Sequence, residues 1–146
     1  MFYLTGRMEF SAAHCLYNPA LSPEENFEAF GNCSGEHGHG HNYMVEVTVR
    51  GRADPRTGVV MDVNRLLDIV KEHVFREVDH KHLNVDVEML RGVIPTAENL
   101  AVVFWGALEP AIRGCELDRI RVYETEDIWV EYRGEGDRTA PRIEGI

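Results

Sequence analysis

Residues 35–51, GEHGHGHNYMVEVTVRG, constrain the fold more than any other stretch. Tyr43, Val45, Val47 and Val49 fall on one side of a period-two alternation, and Asn42, Met44, Glu46, Thr48 and Arg50 on the other. That is the pattern of a strand with one buried face. The alternation runs on upstream, because His41 and His39 share the parity of the valines and only glycines separate them. A ring placed in phase with an apolar face needs a polar partner, since burying it without one is unfavourable. The bland alternative is a polar glycine-rich loop with solvated histidines. His37 continues the alternation further out, in the loop, and is read as lying outside any ligand set.

A second strand supplies a third imidazole. In residues 2–14, FYLTGRMEFSAAH, one face carries Phe2, Leu4, Met8, Phe10 and Ala12, and His14 falls on that apolar side at the end. The two strands should pair antiparallel, which sets His14 beside His39 and His41. Three neutral imidazoles with a position left open describe a catalytic zinc site, whereas structural zinc more usually takes four ligands that include cysteines.

The rest of the chain completes an α+β pattern. Residues 15–38 form a long connection, with a short helix expected from Ser22, its cap, to Gly31. Asp62 caps an amphipathic helix with Val63, Leu66, Leu67, Val70, Val74 and Val78 inward. A polar stretch, DHKHLN (79–84), follows, and Thr96 caps a second long helix. Two final strands are expected around residues 117–124 and 128–132, with Glu124 sharing the parity of Ile120 and Val122. The order ββααββ predicts an antiparallel four-stranded sheet with two helices on one face. Residues 1–134 read as one domain and 135–146 as a flexible tail. Such a sheet has two free edges and one uncovered face, which an oligomer continuing the sheet would close.

Composition narrows the class. A formal charge of −10, with no dense run of Lys or Arg, has the wrong sign for nucleic acid or an anionic membrane as partner. No apolar run approaches the roughly 20 residues of a membrane span, and MFYLTGRMEF does not read as a signal peptide. Cys15, Cys33 and Cys115 read as free thiols in a cytoplasmic protein.

Three further positions carry chemistry. Cys33 sits among Asn32, Ser34 and Gly35, so it reads either as an inert thiol or as an accessible base or nucleophile. Asp79 and His80 are either a surface pair or a carboxylate orienting an imidazole. Glu124 is a carboxylate on an apolar face.

With FSAAH (10–14), NC followed by HGHNY (32–43), TGVVMD (57–62), DHKHLN (79–84), PTAENLA (95–101) and ETE (124–126) in this order, the chain resembles the 6-pyruvoyltetrahydropterin synthase and 6-carboxytetrahydropterin synthase family over nearly its whole length. The resemblance implies the T-fold, with trimers whose sheets close into barrels and stack as a homohexamer. It places zinc on His14, His39 and His41, a catalytic triad on Cys33, Asp79 and His80, and pterin contacts on Glu124 and Thr96. The implied reaction converts 7,8-dihydroneopterin triphosphate to 6-pyruvoyl-tetrahydropterin with loss of triphosphate. Glu36 stands where a glutamate replaces the cysteine in a folate-pathway branch that forms 6-hydroxymethyl-dihydropterin. That product, the carboxy-pterin of the queuosine pathway, and a non-catalytic pterin- or metal-binding oligomer are the alternatives.

Overall fold

The computed structural model describes residues 1–136 and 138–146. Strand β1 (Phe2–His14) pairs antiparallel with β2 (His39–Gly51) along its full length, Phe2 opposite Gly51 and His14 opposite His39. The connection between them holds α1 (Pro23–Phe30), closed at its start by a capping box between Ser22 and Glu25. Strand β4 (Glu116–Tyr123) pairs with the other side of β2, and β5 (Trp129–Tyr132) pairs with β4.

One strand departs from the expected sheet. Lys81–His82 forms β3, which runs parallel to β1 with Ala12 opposite Lys81 and Ala13 opposite His82. The sheet is therefore five-stranded and mixed, in the order β3-β1-β2-β4-β5, not four-stranded and antiparallel. Two polar residues carry no periodicity, so no side-chain pattern announces this strand. Backbone bonds hold it, from His80 N–H to Ser11 O at 2.7 Å and from Leu83 N–H to Ala13 O at 2.8 Å.

Both long helices are present. Asp62 caps α2 (Val63–Val70), which continues through a π-helical turn, Lys71–Phe75, into α3 (Arg76–Val78). Leu66, Val70, Val74 and Val78 repeat every four residues and are all buried. In an α-helix such a stripe drifts by about 40° at each step. The wider π turn brings it back toward the sheet. Val63, at the first helical position, is 47% exposed instead of inward. Thr96 caps α4 (Ala97–Leu108), whose Leu100, Phe104 and Leu108 share one core with Val45, Val47, Ile120 and Val122 of the sheet.

The opposite face of the sheet is polar. Arg7 pairs with Glu46 at 3.2 Å, Arg121 with Glu131 at 2.6 Å, and the Thr5 and Thr48 hydroxyls meet at 2.8 Å. Past Gly134, Ala140 is buried and Ile143 N–H donates to Gly92 O at 2.7 Å. Among the described residues no helix is long and apolar enough to cross a membrane.

Candidate metal centre and active site

The β1–β2 register does to the histidines what parity required of them. His14 and His39 are direct partners, His41 lies opposite Ala12, and all three rings project from the buried face at one end of the sheet. Their ring centroids lie 4.7–5.2 Å apart. The Nε2 atoms of His14 and His39 approach to 3.3 Å.

Glu124 arrives from the end of β4. Its Oε1 lies 3.0 Å from His41 Nε2 and 3.5 Å from His14 Nε2. One ligand atom from each of His14, His39, His41 and Glu124 falls within 4.8 Å of the others. His14, close to Glu124, holds its carboxyl below the usual range, against the opposing effect of burial. Burial lowers His41, partly countered by Glu124, and His41 Nε2 is buried with no hydrogen-bond partner among the described residues. The 3.0 Å approach of Glu124 is thus a close charge contact without hydrogen-bond geometry. An orphaned buried nitrogen amid two more imidazoles and a carboxylate is a donor set that fits a divalent cation.

The close approach has a backbone requirement. Gly38 has φ +67°, and a Cβ there would lie 2.5 Å from His14 O. One glycine of the histidine alternation is therefore structural, and it lets the connection reach β2 beside the end of β1. His37 and Glu36 are exposed in the preceding turn.

Asp79 and His80 form a second group. Asp79 Oδ1 accepts from Ser11 N–H at 3.0 Å, and Oδ2 lies 2.7 Å from His80 Nδ1. The Ser11 N–H is the largest influence holding the Asp79 carboxyl below its ordinary range, with His80 adding to it. The acceptor role of an ionised carboxylate makes Nδ1 of His80 the protonated nitrogen and leaves Nε2 free. His80 takes φ +58°, alone among the described non-glycine residues, and its side chain is 82% exposed. Backbone strain of this kind collects at functional sites.

Two cavities meet at Gly40, His41 and Asn42. One, of about 520 Å³, reaches Ser11, His80 and Lys81; the other, of about 630 Å³, reaches Arg7, Tyr123 and Glu124. His41 and His80 thus open onto one space, and His41 and Glu124 onto the next. Cys33 lines neither cavity. It is half-buried in a 3-10 turn (Gly31–Ser34), its carbonyl accepts from Leu16 N–H at 2.8 Å, and among the described residues its thiol makes no hydrogen bond. The Thr96 hydroxyl accepts from Asn99 N–H at 3.2 Å as the cap of α4 and lines neither cavity. Sequence reasoning missed Ser11, because its contribution is a backbone N–H and side-chain patterning does not report that.

A family model described as 6-pyruvoyl tetrahydropterin synthase matches residues 3–135. The chain belongs to that family. The 6-pyruvoyl tetrahydrobiopterin synthase of Homo sapiens is 44% identical over 129 residues, spanning 88% of this chain and 89% of its own. That of Drosophila melanogaster is 43% identical over 133 residues, spanning 90% and 79%. The structure of Caenorhabditis elegans 6-pyruvoyl tetrahydropterin synthase matches with a TM-score of 0.86 at 35% identity, covering 92% of this chain and 96% of that one. The span matched by the synthase family model contains every site residue described above, from Ser11 to Glu124.

Proposed function

We propose that this chain is a zinc-dependent lyase that converts 7,8-dihydroneopterin triphosphate to 6-pyruvoyl-tetrahydropterin and releases triphosphate. The observation that carries the reading is the convergence of three imidazoles and Glu124 beside two cavities that share His41, one of them also lined by His80, the partner of Asp79. His14, His39 and His41 would hold the metal. Bound there, zinc supplies Lewis acidity toward the hydroxyl oxygens of the substrate side chain.

The chain's own groups do the rest. The Glu124 carboxylate accepts hydrogen bonds from the amino and ring N–H groups of the pterin, and the turn around Thr96 contributes further pterin contacts. The Cys33 thiolate takes a proton from a side-chain carbon. The electron pair left on that carbon forms the enol as the C–O bond to triphosphate breaks. Tautomerisation then moves hydrogens within the molecule, so no redox cofactor takes part. Asp79 holds the His80 Nδ1–H, so that Nε2 can carry protons to and from the thiol. Glu36 is the second candidate base, and proton removal there would redirect the product to 6-hydroxymethyl-dihydropterin.

The oligomer belongs to the same proposal. In one chain His80 projects outward, and among the described residues the Cys33 thiol makes no hydrogen bond. A homohexamer whose sheets close into barrels would cover the polar face and the free edges, and would bring His80 of one protomer to Cys33 of another. Residues 1–134 form the catalytic domain, acting in the cytoplasm. The test is to incubate zinc-loaded protein with 7,8-dihydroneopterin triphosphate and identify products by mass. A pyruvoyl-pterin with equimolar triphosphate supports the reading, a carboxy- or hydroxymethyl-pterin reassigns the product, and absence of turnover with zinc bound refutes the enzyme.

A further inference from the structure

Two groups outside that mechanism meet the same atom. The side chain of His14 is fully buried, and its Nδ1 lies 2.9 Å from Pro95 O and 3.1 Å from the Tyr43 hydroxyl. A carbonyl oxygen only accepts, so Nδ1 carries the ring proton and shares it between the two oxygens. Nε2 is then obliged to present its lone pair toward His39 and His41.

We propose that Tyr43 is a positioning residue of the metal centre, its hydroxyl acting with the Pro95 carbonyl to hold His14 as the Nδ1–H tautomer and aim Nε2 at the cation. The proposal rests on the reading of the three histidines as a metal site. A ligating imidazole whose second nitrogen is held by an acceptor keeps both its tautomer and its orientation.

Both acceptors are themselves immobilised. Tyr43 is 0% exposed, stacks on Phe10 with centroids 4.9 Å apart and 10° between planes, and meets His14 edge-on at 5.9 Å. The Pro95 carbonyl is set by the turn that opens α4. There Asn99 N–H donates to the Thr96 hydroxyl at 3.2 Å, and Asn99 Nδ2–H to Ile94 O at 2.9 Å. The PTAEN turn thereby gains a task at the metal centre, through its backbone.

The test uses the full chain. Zinc affinity is measured by competition with a chromophoric chelator, and the His14 ring nitrogens are followed by NMR in the zinc-loaded protein. The wild type should show a slowly exchanging proton on His14 Nδ1. Tyr43→Phe keeps the ring and its stack, and should weaken zinc binding about tenfold while speeding exchange of that proton. Phe10→Leu removes the stack but no hydrogen bond; it should lower the unfolding temperature and weaken zinc binding less than Tyr43→Phe does. Unchanged affinity and exchange in Tyr43→Phe overturn the proposal. So does a wild-type His14 protonated on Nε2, a result available even if Tyr43→Phe does not fold. Absence of zinc binding by the wild type would instead refute the metal site itself.

Discussion

Replacing Gly38 by alanine tests the link between the backbone of the histidine stretch and the metal centre. Two effects add at this residue. Its φ of +67° disfavours any side chain by about 1–2 kcal/mol, offset by ~0.4–1 kcal/mol because alanine stiffens the unfolded chain. The new Cβ would also lie 2.5 Å from His14 O and 3.0 Å from His14 C. Both are backbone atoms that no side-chain rotation can clear, and such overpacking costs about 1–3 kcal/mol. The sum is ~1–4.6 kcal/mol, and at ~2–4 °C per kcal/mol for a chain of this size the unfolding temperature should fall by roughly 2–18 °C. Gly58 separates the two effects, since its φ is +74° but a Cβ there meets nothing within 4 Å. Gly58→Ala should therefore show the conformational penalty alone, at most ~1.6 kcal/mol. The steric excess at Gly38 falls on His14, so Gly38→Ala should also weaken zinc binding, and Gly58→Ala should not. Thermal unfolding of the metal-free variants and chelator competition measure both quantities. Equal destabilisation of the two variants, or wild-type zinc affinity in Gly38→Ala, would refute the reasoning.

Zinc at about 100 times its dissociation constant should stabilise the wild type by ~2.7 kcal/mol. That increment should vanish in His39→Ala, and its survival there would take His39 out of the ligand set. Asp79→Asn should lower kcat by ~10²–10⁴ through loss of the oriented His80 base, an effect absent if His80 acts without Asp79. The Asp79 carboxyl is held below its ordinary range, chiefly by Ser11 N–H. Its contribution to stability is present above the unfolded-state value near 4 and is lost as pH falls through the lower folded-state value. Unfolding temperature plotted against pH should then be flatter below about pH 4 in Asp79→Asn than in the wild type, and superimposable curves would remove that contribution. Finally, Cys33→Ala and His80→Ala should each be inactive alone. Refolded together they should regain about a quarter of wild-type activity, the share of sites that draw both groups from intact copies in a random oligomer. No recovery in mixed oligomers would place the triad within one chain.

The parts of this protein legible in its sequence are those written locally. Strand alternation put His14, His39 and His41 on one buried face, and their register pairing in the structure follows from it. Ser22, Asp62 and Thr96 marked three helix starts because a cap is a short-range interaction between a side chain and the next turn. Glu124 could be singled out as a carboxylate on an apolar face, but not as a neighbour of His41. That contact depends on β4 lying beside β2, a pairing between residues far apart in the chain.

Tertiary structure alone decided the remainder, and in each case the deciding group was a backbone atom or a distant partner. Strand β3 forms because His80 N–H and Leu83 N–H find β1 carbonyls, which side chains at 81 and 82 do not encode. The Ser11 amide on Asp79 and the Pro95 carbonyl on His14 bridge 68 and 81 positions of sequence. Every residue carries the same N–H and C=O, so nothing in a sequence marks which of them will face an imidazole or a carboxylate. The sequence determined which side chains could hold a metal and which face of the sheet they occupy. Only the folded backbone decided that a carbonyl, that of Pro95, meets Nδ1 of His14.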